Sequence, residues 1–327
     1  MIRIIDKTLV SVDPLLVNSS QITSYCEKIA QVGVKTIELP VALINKIECL
    51  RDGINYVLSV NTPHEAAKHN RFNHFVLRHG NYFVVNNFTY EFQVNDIREI
   101  HNLRQYSNAE NVRITGLDDL MCHDYSHYMD IIRHTFSGKI ELCPQNSHYC
   151  ATAIATQWIL QGNTDVVCSF AGIGGFSAIE EVIMALRINS RYKPNQDLSI
   201  FQDIKILFED MTARFIPENK PIVGSKIFMV EAGVHADGVR KNPLTYEPYD
   251  PSIVGAQRSL IVGKHSGKAA ITLKLIELGI DTNSLNICDI LEQVKERSIL
   301  WGRSLSDTEL IEIVKEVQYA KAKEIYS

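Results

Sequence analysis

No apolar run in this 327-residue chain approaches the ~20 consecutive residues that cross a bilayer, so nothing in it reads as a membrane helix. Positive charge is not in excess either. Lys and Arg number 33 against 38 Asp and Glu, and a net charge of −5 leaves no basic footprint for nucleic acid. The seven cysteines never fall at C-x-x-C spacing. An odd, dispersed set points to reduced thiols in a cytoplasmic protein rather than to a disulfide framework. Cys143 and Cys150 lack a Cys/His pair at zinc spacing nearby, and buried apolar thiols are the favoured reading for both. Internal repeats and low-complexity tracts are absent, and the opening Met1-Ile-Arg-Ile-Ile-Asp6 reads as a strand rather than a leader.

What is present is an ordinary globular composition, 45% apolar, organised as alternating short β-rich runs and helical patterns. Candidate strands are Arg3–Asp6, Thr36–Leu39, Asn55–Ser59, His74–Leu77, Phe83–Asn86, Val112–Thr115, Lys139–Leu142 and Asp165–Ser169. Eight parallel strands are the number a TIM (β/α)8 barrel needs. Helices are expected over Ser20–Val32, Tyr149–Gln161, Ser177–Ile188 and Ile200–Arg214. Only five residues, Arg78 to Tyr82, separate the fourth and fifth candidate strands. A helical crossover needs about ten, so the barrel is expected to be locally irregular. The polar stretch Arg191-Tyr-Lys-Pro-Asn-Gln196 suggests a boundary: a barrel over 1–192, and a linker with a mainly helical C-terminal subdomain over 193–327. Ser306-Asp-Thr-Glu309 is a capping-box pattern at the start of the last helix.

Two stretches carry a specific signal. One runs from Ile140-Glu-Leu-Cys-Pro-Gln-Asn146 through Gly172-Ile-Gly-Gly175 to Glu180-Glu-Val-Ile-Met-Ala-Leu186. The other contains Glu231-Ala-Gly-Val-His235-Ala-Asp237-Gly, then Thr245-Tyr246-Glu-Pro-Tyr-Asp250-Pro251, and ends with Gly263-Lys264-His265-Ser266-Gly267. In order and spacing these resemble the isopropylmalate and homocitrate synthase family, within the DRE-TIM metallolyases. The resemblance implies a barrel that condenses the acetyl group of acetyl-CoA with a 2-oxo acid. In that chemistry a divalent metal polarises the ketone, a base deprotonates the acetyl methyl, and the thioester is then hydrolysed.

Against that pattern the chain shows losses. The family's D-x-T-L-R-D-G-E-Q strand end is here Asp6-Lys-Thr8-Leu9-Val10-Ser11, so the Arg position is Val10 and the metal-binding Asp position is Ser11. The H-x-H-N-D motif is Cys143-Pro144-Gln145-Asn146-Ser147, without either histidine. The Asn ligand of N-G-x-G-E-R-x-G-N is Ile179. Ser11, Cys143, Gln145 and Ile179 make an implausible set for a hard divalent ion, so no metal is expected on this chain. His148 is best read as a loop histidine, Leu50-Arg-Asp-Gly53 as a turn mimicking the lost motif, and Gly172-Ile-Gly-Gly175 as a turn without a P-loop's Lys-Ser/Thr. Glu38 and Asp118 match acidic family positions and are read as substrate-side hydrogen-bond anchors at the barrel mouth.

The C-terminal motifs survive. In the family they act on the partner's barrel within domain-swapped dimers. The resemblance therefore implies that His235 and Tyr246 take part in proton transfer in trans, with Asp237 orienting His235. Lys264 and His265 are expected to serve a tight structural turn. This division resembles the split homocitrate synthases of some nitrogen-fixing bacteria, where a separate alpha-type catalytic chain carries the intact barrel. That implies a catalytic partner chain holding the divalent metal, with acetyl-CoA and 2-oxoglutarate at a shared site. The alternatives are a non-catalytic, ligand-sensing pseudoenzyme and a metal-independent enzyme built around Glu38, Asp118, Cys143 and His148.

Overall fold

A computed structural model describes residues 2–78, 87–190, 192, 197–231, 235, 238–239 and 241–326. Eight parallel strands close into a barrel in chain order: β1 (Arg3–Asp6), β2 (Thr36–Pro40), β3 (Asn55–Val60), β4 (Phe75–Arg78), β5 (Phe88–Val94), β6 (Asn111–Gly116), β7 (Lys139–Pro144) and β8 (Asp165–Cys168). Arg3 registers against Asp165 to close the ring. The expected TIM barrel is therefore the observed architecture.

The surrounding layer is uneven. Full helices follow β1, β6, β7 and β8: α1 (Ser19–Gln31), α3 (Tyr125–Thr135), α4 (Ala151–Leu160) and α5 (Ile179–Asn189). α1 starts at Asn18, whose side chain accepts from the Gln21 amide while Gln21 reaches back, and it buries Ile22, Tyr25, Cys26 and Ile29 against the barrel. After β2 and β5 come the 3-10 segments Val41–Lys46 and Ile97–Tyr106, and after β3 only a one-turn helix, α2 (Pro63–Ala66). The fifth strand lies at Phe88–Val94. The expected strand at Phe83–Asn86 falls outside the described residues, and the connection from Arg78 to Phe88 is longer than the five residues first counted. Arg51-Asp52-Gly53 is a turn, with Gly53 at φ +80°.

The chain divides into two compact units, Met1–Gly224 and Ser225–Ser327. This edge lies beyond the expected boundary at 192 because α6 (Phe201–Thr212) packs on α1. Gln21 donates to Asp210 at 2.5 Å, and Lys28 pairs with Asp203 at 2.8 Å. The second unit is mainly helical, with a small parallel pair, β9 (Met229–Val230) and β10 (Ser259–Leu260), and helices α7 (Lys268–Glu277), α8 (Ile287–Trp301) and α9 (Asp307–Tyr326). Its core gathers Val262, Ile271, Leu275, Ile290, Val294, Leu305, Leu310, Ile313 and Val314. The capping box is formed: Ser306 N donates to Glu309 at 2.7 Å, and Glu309 N to Ser306 Oγ at 3.4 Å. Among the described residues no helix is long and apolar enough to cross a membrane.

Candidate functional site

The C-terminal ends of barrel strands are where this architecture places chemistry. At the end of β1, Asp6 is fully buried, and its Oδ1 accepts from Thr8 N at 2.8 Å and from the Thr8 hydroxyl. Burial pushes its carboxyl up to about 6, with the Thr8 hydrogen bonds pulling the other way. The same Thr8 hydroxyl accepts from Phe170 N at 2.7 Å, tying the β1 end to the loop after β8. Asp6 and Thr8 therefore shape the backbone.

The four positions that would carry metal ligands do not form a donor set. Ser11 is half-buried against the Gly174 turn. Cys143 is fully buried in an apolar cluster with Ile5, Val167 and Phe176, and burial raises its thiol to about 11, outweighing the opposing pull of Lys7 and Arg113. Gln145 spends its amide oxygen on Gln93 Nε2 at 2.9 Å. Ile179 is buried at the first turn of α5 and has no lone pair to offer. A neutral, high-pKa thiol, a hydroxyl, an engaged amide and a hydrocarbon do not suit a hard divalent cation. Among the described residues no three His, Cys, Asp or Glu side chains converge as ligands. His148 sits exposed in the turn after β7.

The barrel interior is instead filled by ion pairs. Arg113, on β6, is buried and touches three carboxylates: Glu38 of β2, Glu91 of β5 at 3.2 Å, and Glu141 of β7, which accepts from Nε and Nη2 at 3.0 and 2.8 Å. Lys7, only 3% exposed, donates to Glu91 at 2.7 Å and lies 4.9 Å from the centre of the Phe176 ring. Arg78 approaches Glu38 at 3.4 Å and Glu91 at 3.8 Å, and Ser59 donates to Glu38. Arg3 closes the lower end on Glu141 and Asp165. Burial would raise Glu38, but Arg113, Lys7 and Arg78 overcome it and hold the carboxyl at about 2. Glu38 is thus an internal ion-pair partner rather than an exposed anchor. Asp118 lies apart from it, half-buried after β6, where it accepts from Ser147 N at 3.4 Å.

The loop after β8 shows why its glycines persist. Gly172, Gly174 and Gly175 have φ between +73° and +77°, and the strained Ala171 is also left-handed, at +54°. Ala171 N is held by Glu180 Oε2 at 3.0 Å. Glu180 is itself fully buried, and burial lifts its carboxyl to about 7, with Lys220 acting in the opposite direction from 3.8 Å.

In the second unit His235 and Tyr246 come together, ring centroids 5.5 Å apart and 43° inclined. Both are exposed, Tyr246 by 46%. A Cβ on Gly238 would stand 2.6 Å from the Tyr246 hydroxyl, so the glycine of the His-containing motif makes room for the tyrosine of the next one. Asp237 lies outside the described residues. Arg258 anchors the Tyr246 strip through a bidentate contact to Glu247 at 2.7–3.0 Å and one to Asp250 at 3.0 Å. The Gly263–Gly267 turn is held by its backbone: Lys264 N donates to Ser298 Oγ at 3.0 Å and His265 N to Glu231 Oε1 at 2.8 Å, while both residues are exposed.

Arg113, Glu91, Glu141, Lys7 and Arg78 escaped the reading of the sequence as site residues. Their signal was available: parallel strands buried on both faces should read as apolar runs, and charges of both signs interrupt β2, β5, β6 and β7.

Residues 222–299 match the family model described as homocitrate synthase post-HMGL domain-like. Over 96% of its length the chain is 28% identical to the homocitrate synthase omega subunit of Clostridium pasteurianum, of which it covers 95%. It is 37% identical to homocitrate synthase AksA of Methanothermobacter thermautotrophicus over 68% of this chain, and spans 58% of that protein. The solved HMG-CoA lyase of Bacillus subtilis shares the fold, with a TM-score of 0.53 at 14% identity over 66% of this chain and 95% of the lyase.

Proposed function

We propose that this chain, which belongs to the isopropylmalate and homocitrate synthase family, is the omega-type subunit of a two-chain homocitrate synthase. The assembly converts acetyl-CoA, 2-oxoglutarate and water to homocitrate and CoA. The catalytic barrel and its divalent metal belong to an alpha-type partner, and this chain lends its second unit as a lid over the partner's site. One observation carries the reading. The side chains needed within a chain's own barrel are replaced at all four ligand positions, whereas the exposed His235–Tyr246 pair and the Gly238 that seats it are intact. Near-full-length similarity to a protein named as an omega subunit supports the same division.

In this reading the work of the chain is proton handling at a surface. The acetyl methyl group must lose a proton before the new C–C bond forms, and the alkoxide left on the former ketone must gain one. An imidazole and a phenol in ring contact can move such protons directly or through water, with Asp237 fixing the imidazole's tautomer. Glu38 serves the scaffold of this chain's barrel, and Asp118 holds a mouth loop.

The test is CoA thiol release from acetyl-CoA with 2-oxoglutarate and a divalent metal. The purified chain alone should be inactive, mixing with the alpha-type chain should give turnover, and His235→Ala and Tyr246→Ala should each remove most of it. Robust turnover by the isolated chain would overturn the proposal. So would full activity of both variants in the mixture.

A further inference from the structure

We propose that the barrel of this chain contains a small-carboxylate binding site that its own Glu91 fills. Three cations from three other strands or strand ends converge on this one side chain. Lys7 Nζ is 2.7 Å from Oε2, Arg113 Nη1 is 3.2 Å from the same oxygen, and Arg78 Nε is 3.8 Å from Oε1. Lys7 and Arg113 are 3% and 1% exposed, so neither has water as an alternative partner. Arg78 Nε is buried and, among the described residues, has no hydrogen-bond partner, so a donor is left over beside the carboxylate. Glu91 itself is 12% exposed and Arg78 26%, so this side of the network is the one that reaches solvent.

The geometry is that of an anion cradle. A planar carboxylate receives an ammonium on one oxygen, shares that oxygen with a guanidinium, and faces a second guanidinium with its other oxygen. The other acids do not play this part. Glu38 is completely enclosed and also takes the Ser59 hydroxyl, and Glu141 is shared between Arg113 and Arg3 toward the lower end. Among the described acids of this network, Glu91 alone has both a cationic cradle and partial access. Phe176 lies against Lys7 and roofs the apolar side. Glu91 therefore acts as a tethered ligand that competes intramolecularly with any free acid. The consequence is that small organic acids do not bind in the native barrel. All of these residues lie within the first unit, and no partner chain is involved.

Truncating the tethered ligand should expose the site. In Glu91→Ala, formate or acetate should raise the melting temperature saturably and at least tenfold more effectively than chloride at equal ionic strength. The native chain should respond to neither anion beyond the chloride baseline. Removing Lys7 as well, in Lys7→Met/Glu91→Ala, deletes one charge of each sign and should weaken the formate response at least fivefold. If Glu91→Ala does not fold in chloride buffer, refolding in formate should recover it. Equal effects of formate and chloride on Glu91→Ala would refute the inference. So would failure to refold in either salt, or a native chain as responsive as the variant.

Discussion

Replacing Arg113 by methionine tests the electrostatic account of the barrel most directly. Methionine keeps much of the side-chain length and removes the charge, leaving Glu38, Glu91 and Glu141 facing one another with exposures of 0%, 12% and 4%. Breaking one buried pair from one side costs about 3–5 kcal/mol. The linkage for Glu38 alone, held at about 2 against an ordinary 4.5, corresponds to roughly 3 kcal/mol, with no discount for screening because the group is fully enclosed. A depressed acid stabilises the fold above its unfolded pKa, and that stability is lost as pH falls from about 4.5 toward 2. In the variant the carboxylates are no longer held down, so the deficit of about 3–5 kcal/mol at pH 7 should largely persist at pH 4.5 and shrink by more than half as pH falls on toward about 2, where the native chain loses the same stabilisation. Trp158 is buried in the first unit and Trp301 lies in the second. Urea unfolding followed by fluorescence in a Trp301→Phe background therefore reports the barrel alone. Arg113→Met/Glu38→Leu, which removes a charge of each sign, should be less destabilised than the single variant. A single-variant deficit under about 1 kcal/mol at pH 7, or one that does not change with pH, would refute the reasoning.

Glu180, raised to about 7 by burial, penalises the fold as pH climbs from about 4.5 through 7. Glu180→Gln carries a pH-independent cost of about 1–2 kcal/mol for a buried amide N–H without a partner, so it should be about 1 kcal/mol less stable than the native chain at pH 5 and exceed it at pH 8 by about 1–2 kcal/mol; equal stability at pH 8 would contradict it. Gly238→Ala should push the Tyr246 ring off its seat, leave the melting of the second unit within about 2 °C of native, and cut thiol release in the two-chain mixture at least tenfold. Native alkylation followed by peptide mapping should modify the exposed Cys49, Cys122 and Cys288 and spare Cys143. Phe176→Ala should raise Cys143 labelling at least tenfold by opening its apolar roof.

The barrel was legible in the sequence because its strands are short apolar runs bounded by turns, and seven of the eight lie within two residues of their expected limits. The fifth was misplaced for a physical reason. Tyr82-Phe-Val-Val85 is a denser apolar run than Phe88-Thr-Tyr-Glu-Phe-Gln-Val94, whose polar positions include the interior Glu91. The same polar residues that made β5 look weak are the ones that fill the barrel. The polar, Pro-containing stretch before α6 marks a change of composition, whereas the compact units divide after Gly224, because the amphipathic α6 buries Phe201, Ile204, Phe208 and Met211 within the first unit. His235 and Tyr246 were legible as motif residues, but their contact through Gly238 was not. It depends on how the chain turns between two motifs, and spacing alone does not encode that.

The network also bears on which kind of molecule could use this barrel. A metal-holding mouth needs oxygen and imidazole lone pairs aimed at a shared gap. Here Glu38, Glu91, Glu141 and Asp165 each already face an Arg or Lys at salt-bridge distance. A divalent ion would have to displace a guanidinium or ammonium into a low-dielectric interior, and the displaced cation would lose both water and its partner. Binding would therefore be opposed by a term as large as the pair it breaks, whatever the affinity of the bare carboxylates. A ligand-sensing barrel and a structural one differ in the same respect. A sensor's pocket must gain free energy by closing on its ligand, whereas this interior is neutralised before any ligand arrives. Among the described residues, the exposed His235–Tyr246 pair of the second unit presents an imidazole and a phenol that are not bound up in such a network.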